Sequence, residues 1–198
     1  YTFSTYKVYG PHHAVMYGKF DLLRELPGLN HYFIGKDEVP YKLQPGNFNF
    51  ELTYSMAGIP RYFEAVHDHH FPDTAAVKKR EKFSAAFELI AAHEERLSEK
   101  LLGYLNSKKG ITITGNRSAD KSKRVSAVSF VSDRLKSSEI AERVDPFRIG
   151  IRWGDFYAKK IIEYLGLIEQ DGVTRVSLVH YNTEEEIDKL IEAFEQIL

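Results

Sequence analysis

Four groups of residues in this sequence have side chains that could do chemistry. The first is Ser4-Thr5-Tyr6-Lys7, where a lysine stands beside hydroxyl groups and aromatic rings, ahead of an apolar run. Burial would lower the pKa of such a lysine, and a neutral amine can form a Schiff base, which a solvated ammonium cannot. The spacing alone favours the simpler alternative, a surface lysine at a strand edge.

The second group is Pro45-Gly46-Asn47-Phe48-Asn49, which directly precedes a predicted helix. Glycine permits close backbone approach, and amide side chains together with helix N-terminal N–H groups can hold a phosphate. A turn with a helix N-cap is the commoner use of such residues.

The third group consists of Arg152 and Arg175, each inside an apolar strand pattern. A guanidinium in such a place needs a partner, and a carboxylate suits its geometry best. That carboxylate is either an internal Asp or Glu, which is the commoner case, or the acid group of a substrate.

The fourth group is His67-Asp68-His69-His70, with His12-His13 as a smaller cluster. Zinc sites need histidines that share one face or converge from separate elements. Adjacent residues at an apparent helix end favour a solvated turn, so no metal site is expected.

Composition limits the possible functions of this 198-residue chain. With 27 Lys and Arg against 28 Asp and Glu, the net charge of −1 argues against a nucleic-acid surface or a polybasic membrane anchor. The absence of cysteine excludes disulfides, thiolate metal sites and a cysteine nucleophile within these residues. No apolar run approaches the roughly 20 residues of a membrane helix. A soluble, cytoplasmic protein with no nucleic-acid or membrane partner is therefore expected.

The hydrophobic pattern predicts an irregular first part and a regular second part. A strand is expected over 13–17, an irregular segment with short strands over 26–50, and a helix over 50–66 that is interrupted near Pro60. A long helix capped by Asp73 is expected to run to about residue 109, with one apolar stripe: Val77, Phe83, Phe87, Ile90, Leu97, Leu101 and Leu105.

Residues 110–198 are predicted to form a ββαβαβα lobe with a mainly antiparallel sheet. Its strands are expected at 111–114, 125–131, 149–153 and 173–181, and its helices at 137–144, 158–165 and 184–198. Thr183 and Glu186 form a capping box that marks the start of the last helix.

Taken together, these segments resemble the carboxyl-terminal half of class V aminotransferases, the pyridoxal-phosphate enzymes of fold type I that include cysteine desulfurase-like proteins. Residues 3–11 are similar to the family's cofactor-lysine segment, and residues 42–50 to a loop that reaches the neighbouring subunit's cofactor phosphate. Residues 150–158 resemble the family's active-site loop, and residues 175–188 its substrate-carboxylate motif.

The resemblance implies a role for each matching residue. Lys7 would hold pyridoxal 5'-phosphate and act as general base and acid, Ser4 and Tyr6 would steady its phosphate, and Gly46 and Asn47 would reach it from the other subunit of a homodimer. Among the substrate-binding residues, Arg175 would bind the α-carboxylate of an amino acid, Arg152 would be a secondary anion contact, and Tyr157 would contact the substrate or fill space.

Three departures from the family pattern qualify these implications. Tyr157 stands where desulfurases carry their persulfide-forming cysteine, Tyr6 replaces the usual histidine, and Asn47 replaces a phosphate-binding threonine. The resemblance therefore implies transferase or lyase chemistry at the α-carbon of an amino acid without a thiol relay.

The fold class implied is α/β: a remnant of the cofactor-binding large domain (1–72), a linking helix (73–109) and a small carboxyl-terminal α+β domain (110–198). Because the amino-terminal half of the family pattern is missing, the 198-residue piece alone is expected to be inactive. The alternative is a non-catalytic, truncated interaction or dimerisation module.

Overall fold

The structure is a computed structural model that describes residues 1–44, 46–72 and 77–198. The chain divides into two compact units, Tyr1–Ala86 and Phe87–Leu198. The boundary falls inside the longest helix, so the division expected from the sequence, at residues 72 and 109, stays a prediction. The cap predicted at Asp73 lies outside the described residues.

The first unit opens with a two-stranded antiparallel sheet of β1 (Thr2–Ser4) and β2 (Ala14–Met16), joined through a 3-10 turn at Thr5–Val8. The strand predicted at 13–17 is confirmed as β2. Thr5 is buried in the connection, and its hydroxyl donates to the carbonyl oxygen of Pro11 at 2.6 Å. This hydrogen bond holds the loop between the strands closed.

Helices and turns make up the rest of the first unit: α1 (Phe20–Glu25), a 3-10 turn (Tyr41–Leu43), α2 (Phe50–Ser55) and α3 (Gly58–His70). The short strands expected between 26 and 50 are wrong for the described residues of that range, which contain none. The break in the predicted helix is confirmed, but it precedes Gly58. Pro60 falls in the first turn of α3, where a missing N–H leaves no hydrogen bond unmade.

The long helix α4 (Lys79–Ser107) begins in the first unit and ends in the second. The long helix expected from the apolar stripe is thus confirmed, although it ends two residues earlier. Leu97, Leu101 and Leu105 are fully buried, whereas Phe87 is 46% exposed and is not part of that core. The carboxyl-terminal half of the apolar stripe therefore packs in the core of the second unit.

The second unit continues with a four-stranded antiparallel sheet and three helices, which confirms the ββαβαβα pattern. The sheet order is β3-β4-β6-β5, and its register is set by pairs such as Ile113 with Phe130 and Val128 with Val176. In chain order the elements are β3 (Ile111–Thr114), β4 (Ala127–Ser132), α5 (Ser137–Val144), β5 (Arg152–Gly154), α6 (Lys159–Tyr164), β6 (Val173–Ser177) and α7 (Glu184–Ile197).

Two strands of this sheet are shorter than the apolar pattern predicts. β5 begins at Arg152 rather than at 149, since its pairing with β6 starts at Arg152; Arg148, with a left-handed φ of 61°, ends the preceding 3-10 turn. β6 ends at Ser177, and the Asn182 side chain accepts the Val179 N–H at 2.9 Å to close a turn. The two shortened strands are neighbours at one edge of the sheet, and they carry Arg152 and Arg175.

One face of the sheet builds the hydrophobic core of the second unit against α4, α5 and α7. Alternation places Val128, Phe130 and Val176 on this face, where each is at most 3% exposed. From α7, Ile187, Leu190 and Phe194 complete the cluster. The opposite face of the sheet carries the polar side chains. Among the described helices, none has both the length and the apolar composition required to cross a bilayer.

Replacement of Thr183 by alanine should destabilise the protein by about 1 kcal/mol. The Thr183 hydroxyl accepts the Glu186 N–H at 3.3 Å and caps α7, as the sequence predicts, so its loss leaves a helix N–H without this partner. Urea unfolding of Thr183→Ala measures the change in the free energy of unfolding. Thr183→Ser retains the acceptor and should recover most of it; equal stability of the alanine and serine variants would contradict a capping role.

Glu186 should contribute a pH-dependent part of the stability. A hydrogen bond from the Asn182 side chain lowers the pKa of this carboxyl, and the Thr183 N–H, 3.0 Å away, lowers it further. A lowered pKa in the folded state stabilises the protein above the ordinary pKa of glutamate, and this contribution is lost as pH falls through the lowered value. The stability difference between wild type and Glu186→Gln should therefore shrink as the pH is lowered through that range in urea titrations; a constant difference would contradict it.

Candidate active site

The turn that carries Lys7 is built by local hydrogen bonds and close packing. Ser4 precedes the 3-10 turn in extended conformation, and Tyr9 ends it with a φ of 63° and an N–H that donates to the Thr5 carbonyl. A Cβ on Gly10 would lie 2.9 Å from the Thr5 carbonyl oxygen, so this position requires glycine. The sequence around the lysine thus sets a tight, defined loop.

Lys7 projects from this turn as an exposed side chain. Within the described part of the chain, its amine has no hydrogen bond and no ion pair. Within the first unit, the surroundings of Lys7 are therefore those expected of a surface lysine. Tyr6 is half-exposed next to it, with its ring stacked on His12 at a centroid distance of 5.0 Å.

The Gly46-Asn47 loop belongs to the same unit. Gly46 has a φ of 81° and Asn47 is exposed, whereas Pro45 lies outside the described residues. The Asn49 side chain accepts the Leu52 N–H at 2.7 Å, so the N-cap predicted for this segment is confirmed at Asn49. The phosphate-binding alternative for Gly46 and Asn47 stays a prediction.

A fully buried lysine, Lys42, fixes the segment just before this loop. Its ammonium donates to the carbonyl oxygens of Arg24 at 2.8 Å and Leu26 at 2.7 Å, which lie at the end of α1. A cation is favoured there because the carbonyls at a helix C-terminus carry partial negative charge. This role was not predicted, since lysine is normally exposed and no local pattern distinguishes Lys42.

Arg152 and Arg175 are brought together by the sheet of the second unit. They stand directly opposite each other on the antiparallel strands β5 and β6, so both side chains leave from the same face. On β4, Ser129 pairs with Arg175 and continues this row. Arg152 is exposed, whereas Arg175 is partly buried and its Nε has no hydrogen-bond partner among the described residues.

An aromatic ring covers the Arg175 guanidinium. The Phe156 ring centroid lies 3.6 Å from Cζ of Arg175, a cation–π contact. Phe156 is a second residue whose role was not predicted. A phenylalanine two residues after a glycine carries no sequence signal for such a contact.

Tyr157 stands on the same strained loop and is fully exposed. Phe156 and Tyr157 have φ values of 51° and 63°, a left-handed conformation that costs about 1–2 kcal/mol for each such residue. The Asp155 carboxylate accepts the Tyr157 N–H at 2.9 Å and supports the turn. In this loop conformation the ring of Phe156 lies over Arg175 and the Tyr157 side chain is exposed to solvent.

The histidine cluster serves the local fold of the first unit. His67 is buried at the end of α3, and its Nδ1 lies 2.8 Å from the Asp68 carboxylate, which also pairs with Lys82 at 2.6 Å. The hydrogen bond from Lys82, followed by that from His67, lowers the pKa of Asp68. Within residues 1–44, 46–72 and 77–198, no group of three or more His, Asp or Glu side chains is arranged to hold a metal ion.

The candidate site residues thus form two groups. In the first unit, Ser4, Tyr6 and Lys7 share one tight turn, and Gly46 with Asn47 lies in a separate loop. In the second unit, Arg152 and Arg175 share one row of the sheet beside the Tyr157 loop.

The fold of the chain is that of cysteine desulfurases over part of their length. The solved structure of cysteine desulfurase CsdA from Escherichia coli matches with a TM-score of 0.73 at 21% identity, covering 99% of this chain and 45% of that one. At this level of identity the match establishes the fold alone. It confirms the α/β fold class expected from the sequence.

The sequence then identifies the family. The model of the aminotransferase class-V family matches residues 1–190, and the chain belongs to that family. Aminotransferase-like protein FGM3 of Gibberella zeae is 37% identical over 199 residues, covering 100% of this chain and 46% of that protein. Cysteine desulfurase-like protein ustD of Aspergillus flavus is 31% identical and is covered over 42% of its length. The chain therefore spans less than half the length of these relatives.

Proposed function

We propose that this chain is the cofactor-holding and substrate-binding part of a pyridoxal-phosphate enzyme that acts at the α-carbon of an amino acid. Membership of the class-V aminotransferase family supports this proposal. The observation that carries it is the Lys7 amine, which stands on a tight turn and has no hydrogen bond or ion pair within the described residues. The reaction is of the transferase or lyase type.

The residues of the Lys7 turn fit pyridoxal 5'-phosphate by their chemistry. Within the described residues no hydrogen bond or ion pair occupies the Lys7 amine, which in its neutral form reacts with an aldehyde, and the hydroxyls of Ser4 and Tyr6 are hydrogen-bond donors suited to a phosphate. Thr5 is excluded from this role because its hydroxyl already bonds to Pro11 and His13 carbonyls. Gly46 and Asn47 would add phosphate contacts from the second subunit of a homodimer.

Each group then has a separate task. When bound, the cofactor supplies an electron sink for bonds at the α-carbon. The Lys7 amine would hold the cofactor and move a proton to or from the substrate carbon. Arg175, which lies against the Phe156 ring and whose Nε has no partner within the described residues, would bind the α-carboxylate and orient the amino acid.

No thiol takes part in the proposed chemistry. The 198 residues contain no cysteine, and Tyr157 occupies the position where the resemblance places the sulfur-carrying residue of desulfurases. A phenol does not form a persulfide, so Tyr157 would either contact the substrate or fill the space of that residue. The chemistry proposed is therefore transferase or lyase chemistry at the α-carbon without a sulfur relay.

The proposal is tested by incubating the protein with pyridoxal 5'-phosphate, reducing it with borohydride and mapping the adduct by peptide mass spectrometry. A single adduct on Lys7 is expected. A protein that stays colourless and carries no adduct, or one modified equally on several exposed lysines, would contradict the proposal. The same preparation, analysed by light scattering, tests the homodimer.

Exposed aromatic residues in the first unit favour a second candidate, an interaction or dimerisation module. Tyr17, Phe20, Tyr32 and Phe33 are each at least 60% exposed, which is unusual for so many large apolar side chains in one small unit. Because the chain spans less than half of its relatives, it alone is proposed to lack activity. Stable self-association without cofactor uptake would favour this module over the enzyme.

A further inference from the structure

Arg152 and Arg175 stand in one row of side chains across the sheet of the second unit. Within the described residues, this row contains no negatively charged side chain. Arg152 and Arg175 are direct neighbours across two antiparallel strands, and like charges in this position destabilise a sheet. Within the described residues, neither arginine has an ion pair or a hydrogen bond from its guanidinium to a carboxylate. Two adjacent cations are therefore retained without an internal counter-charge.

The surroundings of the pair do not neutralise it. Along the row, Ser129 on β4 and Thr114 on β3 carry hydroxyls only. On the other side of Arg152, Glu142 and Asp145 line a shallow hollow with it, but neither carboxylate comes within ion-pair distance. Glu142 and Asp145 thus leave the charge of Arg152 unpaired within the described residues.

The guanidinium of Arg175 is covered by an aromatic ring on one face only, which leaves its other side for a ligand. Phe156 covers a face of its guanidinium at 3.6 Å, and its buried Nε has no partner among the described residues. A buried polar atom without a hydrogen bond is costly, and this cost favours an arrangement in which an added acceptor reaches the Arg175 guanidinium. A single carboxylate can satisfy one guanidinium through two parallel hydrogen bonds, which leaves Arg152 for a second acid group.

We propose that the Arg152–Arg175 pair binds an amino acid with two carboxylates, one held by each guanidinium. This inference rests on the proposed function for its reaction and deepens it by naming the substrate class. Arg175 takes the α-carboxylate, and Arg152 takes the carboxylate of the side chain. A monocarboxylic amino acid leaves Arg152 without a counter-charge and binds more weakly.

The test needs no cofactor, so it is independent of whether Lys7 reacts. The chain is titrated with succinate, propionate and inorganic phosphate while the side-chain Nε–H resonances of its arginines are followed by NMR. Succinate should bind about tenfold more tightly than propionate, because it makes a second charge-assisted contact. In Arg152→Gln, succinate affinity should fall to about that of propionate, whereas propionate affinity should hardly change.

Arg143→Gln is the matched control, since it removes one exposed positive charge from α5 outside this row. It should leave the preference for succinate intact. Equal binding of succinate and propionate, tighter binding of phosphate, or an Arg152→Gln variant that still prefers succinate would each overturn the inference. A failed adduct on Lys7 with an intact succinate preference would instead refute the proposed function alone.

Discussion

Replacement of Lys7 by alanine should abolish covalent attachment of pyridoxal 5'-phosphate, because no Schiff base can form at this position without the amine. The variant loses both the amine that would hold the cofactor and the group that would move the proton. The change should cost little stability, because the Lys7 side chain is exposed and makes no described internal contact. Absorbance of the bound cofactor and mass spectrometry of the reduced adduct measure the effect.

Lys36→Ala provides the matched control for this experiment. Lys36 is another exposed lysine of the first unit, so its loss removes the same charge while the proposed site is left intact. This control should take up cofactor as the wild type does. If Lys7→Ala retains the adduct, or if both variants lose it alike, the assignment of Lys7 is wrong.

Replacement of Phe194 by alanine should destabilise the second unit by about 3–5 kcal/mol. Phe194 is fully buried, with its ring 5.6 Å from that of Phe130 in an edge-to-face contact and 6.3 Å from that of Tyr104. Truncation leaves a cavity where α7 meets α4 and the sheet, and it also removes the favourable ring contacts. Chemical denaturation followed by circular dichroism measures the loss.

The comparison for Phe194 is Tyr164→Ala, which removes an aromatic ring of similar size from α6. Tyr164 is 90% exposed, so its loss should change the free energy of unfolding by no more than about 0.5 kcal/mol. A Phe194→Ala variant as stable as Tyr164→Ala would show that the core is not closed by α7.

The second unit could be predicted well because its local signals agree with each other. The alternating residues of 111–114, the 3.6-residue period of 137–144 and the Thr183–Glu186 capping box all describe their elements correctly. The first unit was predicted less well. Residues 26–44 are held by Lys42 and Asn30, whose hydrogen bonds to distant carbonyls leave no periodic signal.

The candidate site was predictable only in part. The residue types at Lys7, Arg152 and Arg175 indicate an amine and two anion-binding groups by their chemistry alone. Their spacing along the chain does not show that the two arginines are direct neighbours, because that depends on the pairing of β5 with β6. Nor does it show the stacking of Phe156 on Arg175, which depends on a loop in an unfavourable backbone conformation.

The sequence by itself determined the family of this protein, its alternation of strands and helices in the second unit, and the absence of a thiol from any chemistry these residues do. These properties reside in residue types and short-range periods. The tertiary structure alone decided the burial of Lys42, the exposure of Phe87 and the direct pairing of Arg152 with Arg175. Those features depend on which strands pair and which faces are covered, and such contacts join residues that are far apart along the chain.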